Sequence, residues 1–169
     1  MRTSSGFTLI ELLITVVVLA IALGIAVPSM QQFLINSRAE TIAGTLNTAI
    51  NQARTEAVKR GARVSICSSS NGTSCDTNGW AAGWIVVTDN AASDTTTSVT
   101  VGTVLSRGNA LPSGAVVAAG APAFIRFSAL GTAPVRGNFS TKTTGCTGTA
   151  ARTINISASG RIAIAKASC

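Results

Sequence analysis

The residues able to do chemistry in this sequence are few, and the most conspicuous is a carboxylate in an apolar setting. Glu11 stands within the run Phe7–Val27, which holds no other charge. An unpaired carboxylate in hydrocarbon costs about 2.5 to 3.5 kcal/mol on insertion scales, so its presence calls for an opposite charge from another group. The other reactive side chains are Cys67, Cys75, Cys146 and Cys169. The interval from Cys67 to Cys75 is not a zinc spacing, and no second matching pair follows. Neither His nor Tyr occurs, which removes the commonest general acid/base and the commonest metal ligand. Asp76, Asp89 and Asp94 fall in or beside loops without a repeated ligand spacing. The expectation is a chain that is not an enzyme and has no catalytic residue, metal site or cofactor.

The elements that position these groups follow from hydrophobic period. Phe7–Val27 is 21 residues long, and at about 1.5 Å per residue a helix of it spans a bilayer core of roughly 30 Å. Arg2 and the start amine keep the short leading end cytoplasmic and direct the rest outward. A secretory signal peptide would start in the same way, and Ala20, Ala22 and Gly24 could serve as its small-residue cleavage site. The carboxylate of Glu11 argues against that. Gly24 and Pro28 are expected to break or kink the helix, because a proline removes one backbone hydrogen bond. Beyond them Ile35, Ala39, Ile42, Leu46, Ala49, Ile50, Ala53 and Ala57 recur at spacings of three and four, one apolar stripe of an amphipathic helix. Lys59, Arg60 and Gly61 give it a cationic last turn and a glycine stop.

After Gly61 the period becomes alternating. Segments 63–67, 84–88, 99–105, 115–118, 123–128, 153–157 and 161–165 read as short strands between Gly, Ser, Asn and Pro turns. Asn90–Ser98 reads as an exposed polar loop, and Trp80 and Trp84 as core and edge packing. The fold class is therefore α+β: a long N-terminal helix, membrane-spanning in its first half, packed on an antiparallel β-sheet head. The expected divisions are 1–6 as a leader, 7–28 as membrane helix, 29–61 as its amphipathic continuation and 62–169 as the head.

Net charge is +7, and all acids lie at or before Asp94. Beyond it Arg107, Arg126, Arg136, Lys142, Arg152, Arg161 and Lys166 face no carboxylate in their half of the sequence. Such a cationic surface points to an anionic partner, or to a solvated face that pairs with acids of neighbouring subunits.

The string Gly6-Phe7-Thr8-Leu9-Ile10-Glu11-Leu12-Leu13 resembles the class III signal of type IV pilins and type II secretion pseudopilins. The resemblance implies a membrane peptidase that cuts after Gly6 and methylates Phe7, with Glu11 pairing to the amine of a neighbouring subunit's Phe7. Further strings resemble the GspH/FimT-like minor pilins: Ala53–Arg60, Val64–Cys67 with Cys75, Gly79–Asp89 and Ile156–Ile162. They imply a pilin-like, low-abundance subunit that primes or caps a pilus or pseudopilus, with other pilins, the prepilin peptidase and the inner membrane as partners. The cysteine-flanked loop before the tryptophans looks more like the pilus branch than the secretion branch. Some relatives bind DNA through Gly-Arg-x-Arg; here Gly160-Arg161-Ile162-Ala163 keeps only the first arginine. Arg161 is then the leading candidate for weak, non-specific DNA contact, with Arg152 and Lys166 behind it. On a strand Arg161, Ala163 and Ala165 share one face, Ile162 and Ile164 face the core, and Lys166 has the opposite parity to Arg161. A head in an oxidising periplasm is expected to hold two disulfides. Cys67–Cys75 and Cys146–Cys169 are chosen because both close local loops and the second pins the chain end.

Overall fold

The computed structural model describes residues 6–118 and 120–169; residues 1–5 of the expected leader, Arg2 included, lie outside the described residues. The order is α1 (Leu9–Arg60), β1 (Val64–Ser68), a 3-10 turn (Trp80–Ala82), β2 (Trp84–Asp89), β3 (Val101–Gly108), β4 (Ala115–Val117), β5 (Phe124–Phe127), β6 (Asn138–Thr143), β7 (Ala151–Ile156) and β8 (Ile162–Ala167). The chain divides into two compact units, one ending at Leu34 and one spanning Ile35–Cys169.

In the first unit α1 runs on through Gly24 and Pro28, so the expected break is corrected. A proline ring collides with the carbonyl of the residue four positions back, and that residue is Gly24. Apart from the adjoining helix backbone, no atom lies within 4 Å of the position a Cβ would take there. Among the described residues of this unit every apolar side chain is exposed.

The second unit has its own core. Ala39, Ile42, Ala43, Leu46, Ala49, Ile50, Ala53 and Ala57 form the buried stripe of α1. The helix stops at Gly61, whose φ of 58° lets Ala62 N–H reach the Ala57 carbonyl at 3.3 Å, a Schellman-type end.

The antiparallel β-sheet head expected is built as two four-stranded sheets, with orders β3-β2-β1-β5 and β4-β6-β7-β8. The stripe of α1 packs with Val64, Ile66, Val86, Ile125 and Phe127 of the first sheet and with Phe139, Ile154 and Ile156 of the second. The opposite face of the first sheet buries Cys67, Ile85, Val87 and Phe124 against Val99, Val101, Val104 and Val135. Strands β1, β2 and β5 are thus covered on both sides, which explains their nearly unbroken apolar runs.

Three expectations about side chains change. β6 was not foreseen, because its inward positions are Phe139, Thr141 and Thr143, and two threonines do not read as a core. Ile164 is 42% exposed. Its register partner Ile154 is buried, as is Phe139 opposite Ile154, but β8 is the last strand of its sheet and only its Ile162 packs against the core. Arg126, counted among the surface cations, is completely buried.

Candidate functional site

The first site is the start of α1. Thr8 precedes the helix, and Glu11 is its third residue. Glu11 N–H donates to Thr8 Oγ1 at 3.3 Å, while Thr8 N–H and Oγ1 each donate to Glu11 Oε2 at 3.3 Å. This is a capping box, which satisfies two of the donors a helix start leaves open. The Thr-x-x-Glu spacing was visible in the sequence and its meaning missed. Phe7 is 78% exposed, and Gly6 and Glu11 are exposed too. The carboxylate has no cationic partner among the described residues. It therefore keeps the capacity to accept a charge-assisted hydrogen bond from outside the chain.

On the head, Cys67 is joined to Cys75 and Cys146 to Cys169. The first closes a polar loop of residues 68–74, and Asp76 just beyond it accepts from Ser70 N–H and Oγ at 2.6 Å each and from Asn78 N–H at 3.0 Å. The Ser70 hydroxyl and N–H hold the Asp76 carboxyl below its ordinary range. The second ties the chain end to the β6–β7 loop, and Lys142 Nζ donates to the Cys169 carbonyl at 3.0 Å.

A buried ion pair covers the outer face of the first sheet. Arg126 Nε donates to Asp89 Oδ2 at 2.8 Å, with both side chains fully buried. Its other nitrogens donate to the carbonyls of Asp94 (3.1 Å), Thr96 (2.5 Å) and Ser98 (2.6 Å). Asp89 also accepts from Ser65 Oγ at 2.6 Å and from the N–H groups of Ala91 and Thr100 at 3.0 Å. Burial pushes the Asp89 carboxyl up, but these hydrogen bonds outweigh it and hold the group below its ordinary value. The polar loop 90–98 is thus pinned from beneath by Arg126, and Arg63 holds it as well, donating to the Asp94 carboxylate at 3.2 Å and the Ala91 carbonyl at 2.7 Å.

The cationic candidates separate. Arg152 does face a carboxylate, Glu40 Oε1 at 3.5 Å, its side chain is 11% exposed, and it also donates to the carbonyls of Thr149, Ala150 and Ala151. This corrects its place among free surface charges: the acid lies far away in sequence, on α1. Arg107 donates to the Gly72 carbonyl at 2.7 Å and Arg136 to that of Ala133 at 3.3 Å. Arg161 and Lys166 are exposed. Since β8 extends through Ala167, the two project to opposite faces. Gly160, with φ of 76°, abuts the Gly131 carbonyl so closely that a Cβ would collide with it. Arg54 closes the same junction by donating to the carbonyls of Gly131 (3.0 Å) and Ser159 (3.4 Å). The glycine before Arg161 is therefore required by packing.

Trp80 and Trp84 are core residues. Trp80 donates from Nε1 to the Pro122 carbonyl at 2.8 Å and meets Phe139 edge-on at 4.8 Å. A cleft of about 340 Å³ beside Trp84 is lined by Arg38, Ile42, Leu111 and Pro112 among others. It holds one guanidinium and no carboxylate, an arrangement without an acid–base pair. Among the described residues no cluster of metal-ligating side chains occurs.

A long apolar helix ahead of a head with two antiparallel sheets defines the pilin-like class. The family described as Type II transport protein GspH matches residues 43–160, and the prokaryotic N-terminal methylation motif matches residues 1–27. The chain belongs to the GspH family. No curated protein matches the sequence. Among solved structures it is similar to the type IV minor pilin FimU of Pseudomonas aeruginosa strain PAO1 in two crystal forms. One match has 22% identity, covers 82% of this chain and 92% of that one, and gives a TM-score of 0.55. The other has 22% identity, coverage of 75% and 91%, and a TM-score of 0.56. At that identity the likeness establishes the fold.

Proposed function

We propose that this protein is a minor pilin that primes or caps a type IV pilus after prepilin peptidase cuts behind Gly6 and methylates Phe7. In this reading residues 1–6 are the leader, 7–28 cross the inner membrane, 29–61 continue the helix and 62–169 form a periplasmic head carried to the filament tip. The observation that carries it is the exposed apolar stretch of α1. Glu11 is the sole charge between Phe7 and Arg38, and the head buries its core without this stretch. Its most apolar window has a mean hydropathy of 2.8 and no burial within the chain. So large an exposed apolar surface needs lipid first and neighbouring helices afterwards. Glu11, already positioned by Thr8, then accepts the charge of a neighbouring amine.

The family's description favours a second reading, a pseudopilin of a type II secretion system. Deleting the gene separates the two: loss of surface pili with secretion intact supports the pilus, and the reverse result replaces it with the secretion machine. A third reading, a DNA-binding pilin for natural transformation, keeps Arg161 and Lys166 but loses Arg152 to Glu40.

A further inference from the structure

The second sheet ends in an edge whose one protecting feature is a single lysine, Lys166. A strand edge presents unpaired N–H and C=O groups and is normally blunted by bulges, shortness, inward charges or a covering segment. Three of the four edges in this head are treated so. β3 is irregular, with register shifts against β2. β4 has only three residues. β5 is covered by the chain that follows it, through Arg126 N–H to the Val135 carbonyl and Ser128 N–H to the Thr132 carbonyl at 2.9 Å each.

β8 has none of these. It is six residues long, pairs with β7 in unbroken register from Ile162 to Ala167, and contains no Pro or Gly. Ala163, Ile164, Ala165 and Lys166 are all exposed. Small alanines and an isoleucine make its faces low and apolar, so nothing obstructs the approach of another backbone.

We propose that β8 is a docking edge for an extended, carboxylate-bearing segment of a different protein, which adds a fifth strand to the second sheet. Charge selects the occupant. Arg161 immediately precedes β8 and Lys166 lies near its far end, about 17 Å apart at roughly 3.3 Å per residue, and continuing the strand's alternation back to Arg161 gives the two opposite parity. Carboxylates five residues apart on an incoming strand also point to opposite faces and match both. A second copy of this chain does not fit. Its β8 would bring like charges together, and its one strand acid, Asp89, is buried beneath Arg126. Ladder hydrogen bonds then supply affinity, while the end charges set register and partner choice. This inference rests on the sheet edge alone and stands apart from the filament reading.

The test uses the full chain in non-ionic detergent and a synthetic peptide, acetyl-Thr-Glu-Val-Thr-Val-Thr-Glu-Thr-amide, with a control in which both Glu are Lys. Hydrogen exchange is followed across residues 162–167. The acidic peptide is expected to slow exchange roughly tenfold there and nowhere else in the head, because outward amides gain partners. The lysine peptide is expected to have no effect. In the double variant Arg161→Glu with Lys166→Glu, whose exposed side chains leave the core untouched, the preference inverts. No slowing with either peptide, or equal slowing with both, overturns the proposal. So does protection that rises with protein concentration alone, which marks self-pairing, or protection by duplex DNA but not by the acidic peptide.

Discussion

Asp89 and Arg126 show how much one side chain can organise. Either charge alone on the covered face of the first sheet would be untenable, and together with Ser65 and three loop carbonyls they satisfy each other. Removing one partner of such a pair costs about 3 to 5 kcal/mol, because the other is left buried and uncompensated. Asp89→Asn is therefore expected to lower unfolding stability by about 3 kcal/mol at pH 7 in urea titrations. The pH dependence follows from the depressed Asp89 pKa. Its contribution is complete above the unfolded carboxyl value of about 3.9 and is lost as pH falls through the lower folded value. Wild type should thus weaken below about pH 4 while the Asn variant changes less, so the gap between them narrows. A gap that stays constant down to pH 2 contradicts this assignment. None of this was legible in the sequence. Phe124-Ile125-Arg126-Phe127 reads as an alternating strand with its arginine in water, and only the loop folding over that face reverses the reading.

At the scale of elements, helix α1 was the most legible part. Its stripe from Ala39 to Ala57 was set by period alone, and the observed burial follows it. What period could not show was that the helix continues through Pro28, with Gly24 four residues earlier. Pro28→Ala is expected to restore the hydrogen bond to the Gly24 carbonyl and to slow exchange over residues 24–28 in micelles; unchanged exchange would mean the bond is not limiting. The capping box was equally readable but went unused. Thr8→Ala should fray the first turn at a cost of about 1 kcal/mol and leave the rest of α1 helical by NMR. Strand β6 and the division into two sheets were not readable, since Thr141 and Thr143 face inward without being apolar and sheet order depends on distant pairings. The disulfides act on the same scale. Chain-entropy arguments give about 2.6 kcal/mol for Cys67–Cys75 and about 3.4 for Cys146–Cys169. Replacing the second pair by serines should lower stability more than replacing the first, and an inverted order in denaturant titrations would show that native-state contacts dominate.

At the scale of the whole molecule, net charge of +7 turned out to be a poor guide to surface chemistry. Arg126 is buried and Arg152 is paired with Glu40, so of the candidate DNA contacts Arg161 and Lys166 are left exposed. A DNA interaction limited to these two should show a log-log salt slope near about −1.8, against about −3.6 if four cations met phosphates. Fluorescence anisotropy with duplex DNA between 50 and 200 mM salt would read the slope, and a value beyond about −3 would restore the broader cationic surface.

Assembly rests on the other end of the chain. Glu11→Ala is expected to leave membrane insertion intact and to reduce entry into filaments, measured by comparing membrane and sheared-pilus fractions; wild-type incorporation would remove the pairing role of Glu11. The central claim is that Gly6, Phe7 and Glu11 form a processing and assembly signal, and intact mass of the protein extracted from membranes tests it most directly. The expected species begins at N-methylated Phe7 and carries two disulfides, Cys67–Cys75 and Cys146–Cys169. A species that retains Met1, or one cut near Gly24, would contradict the account.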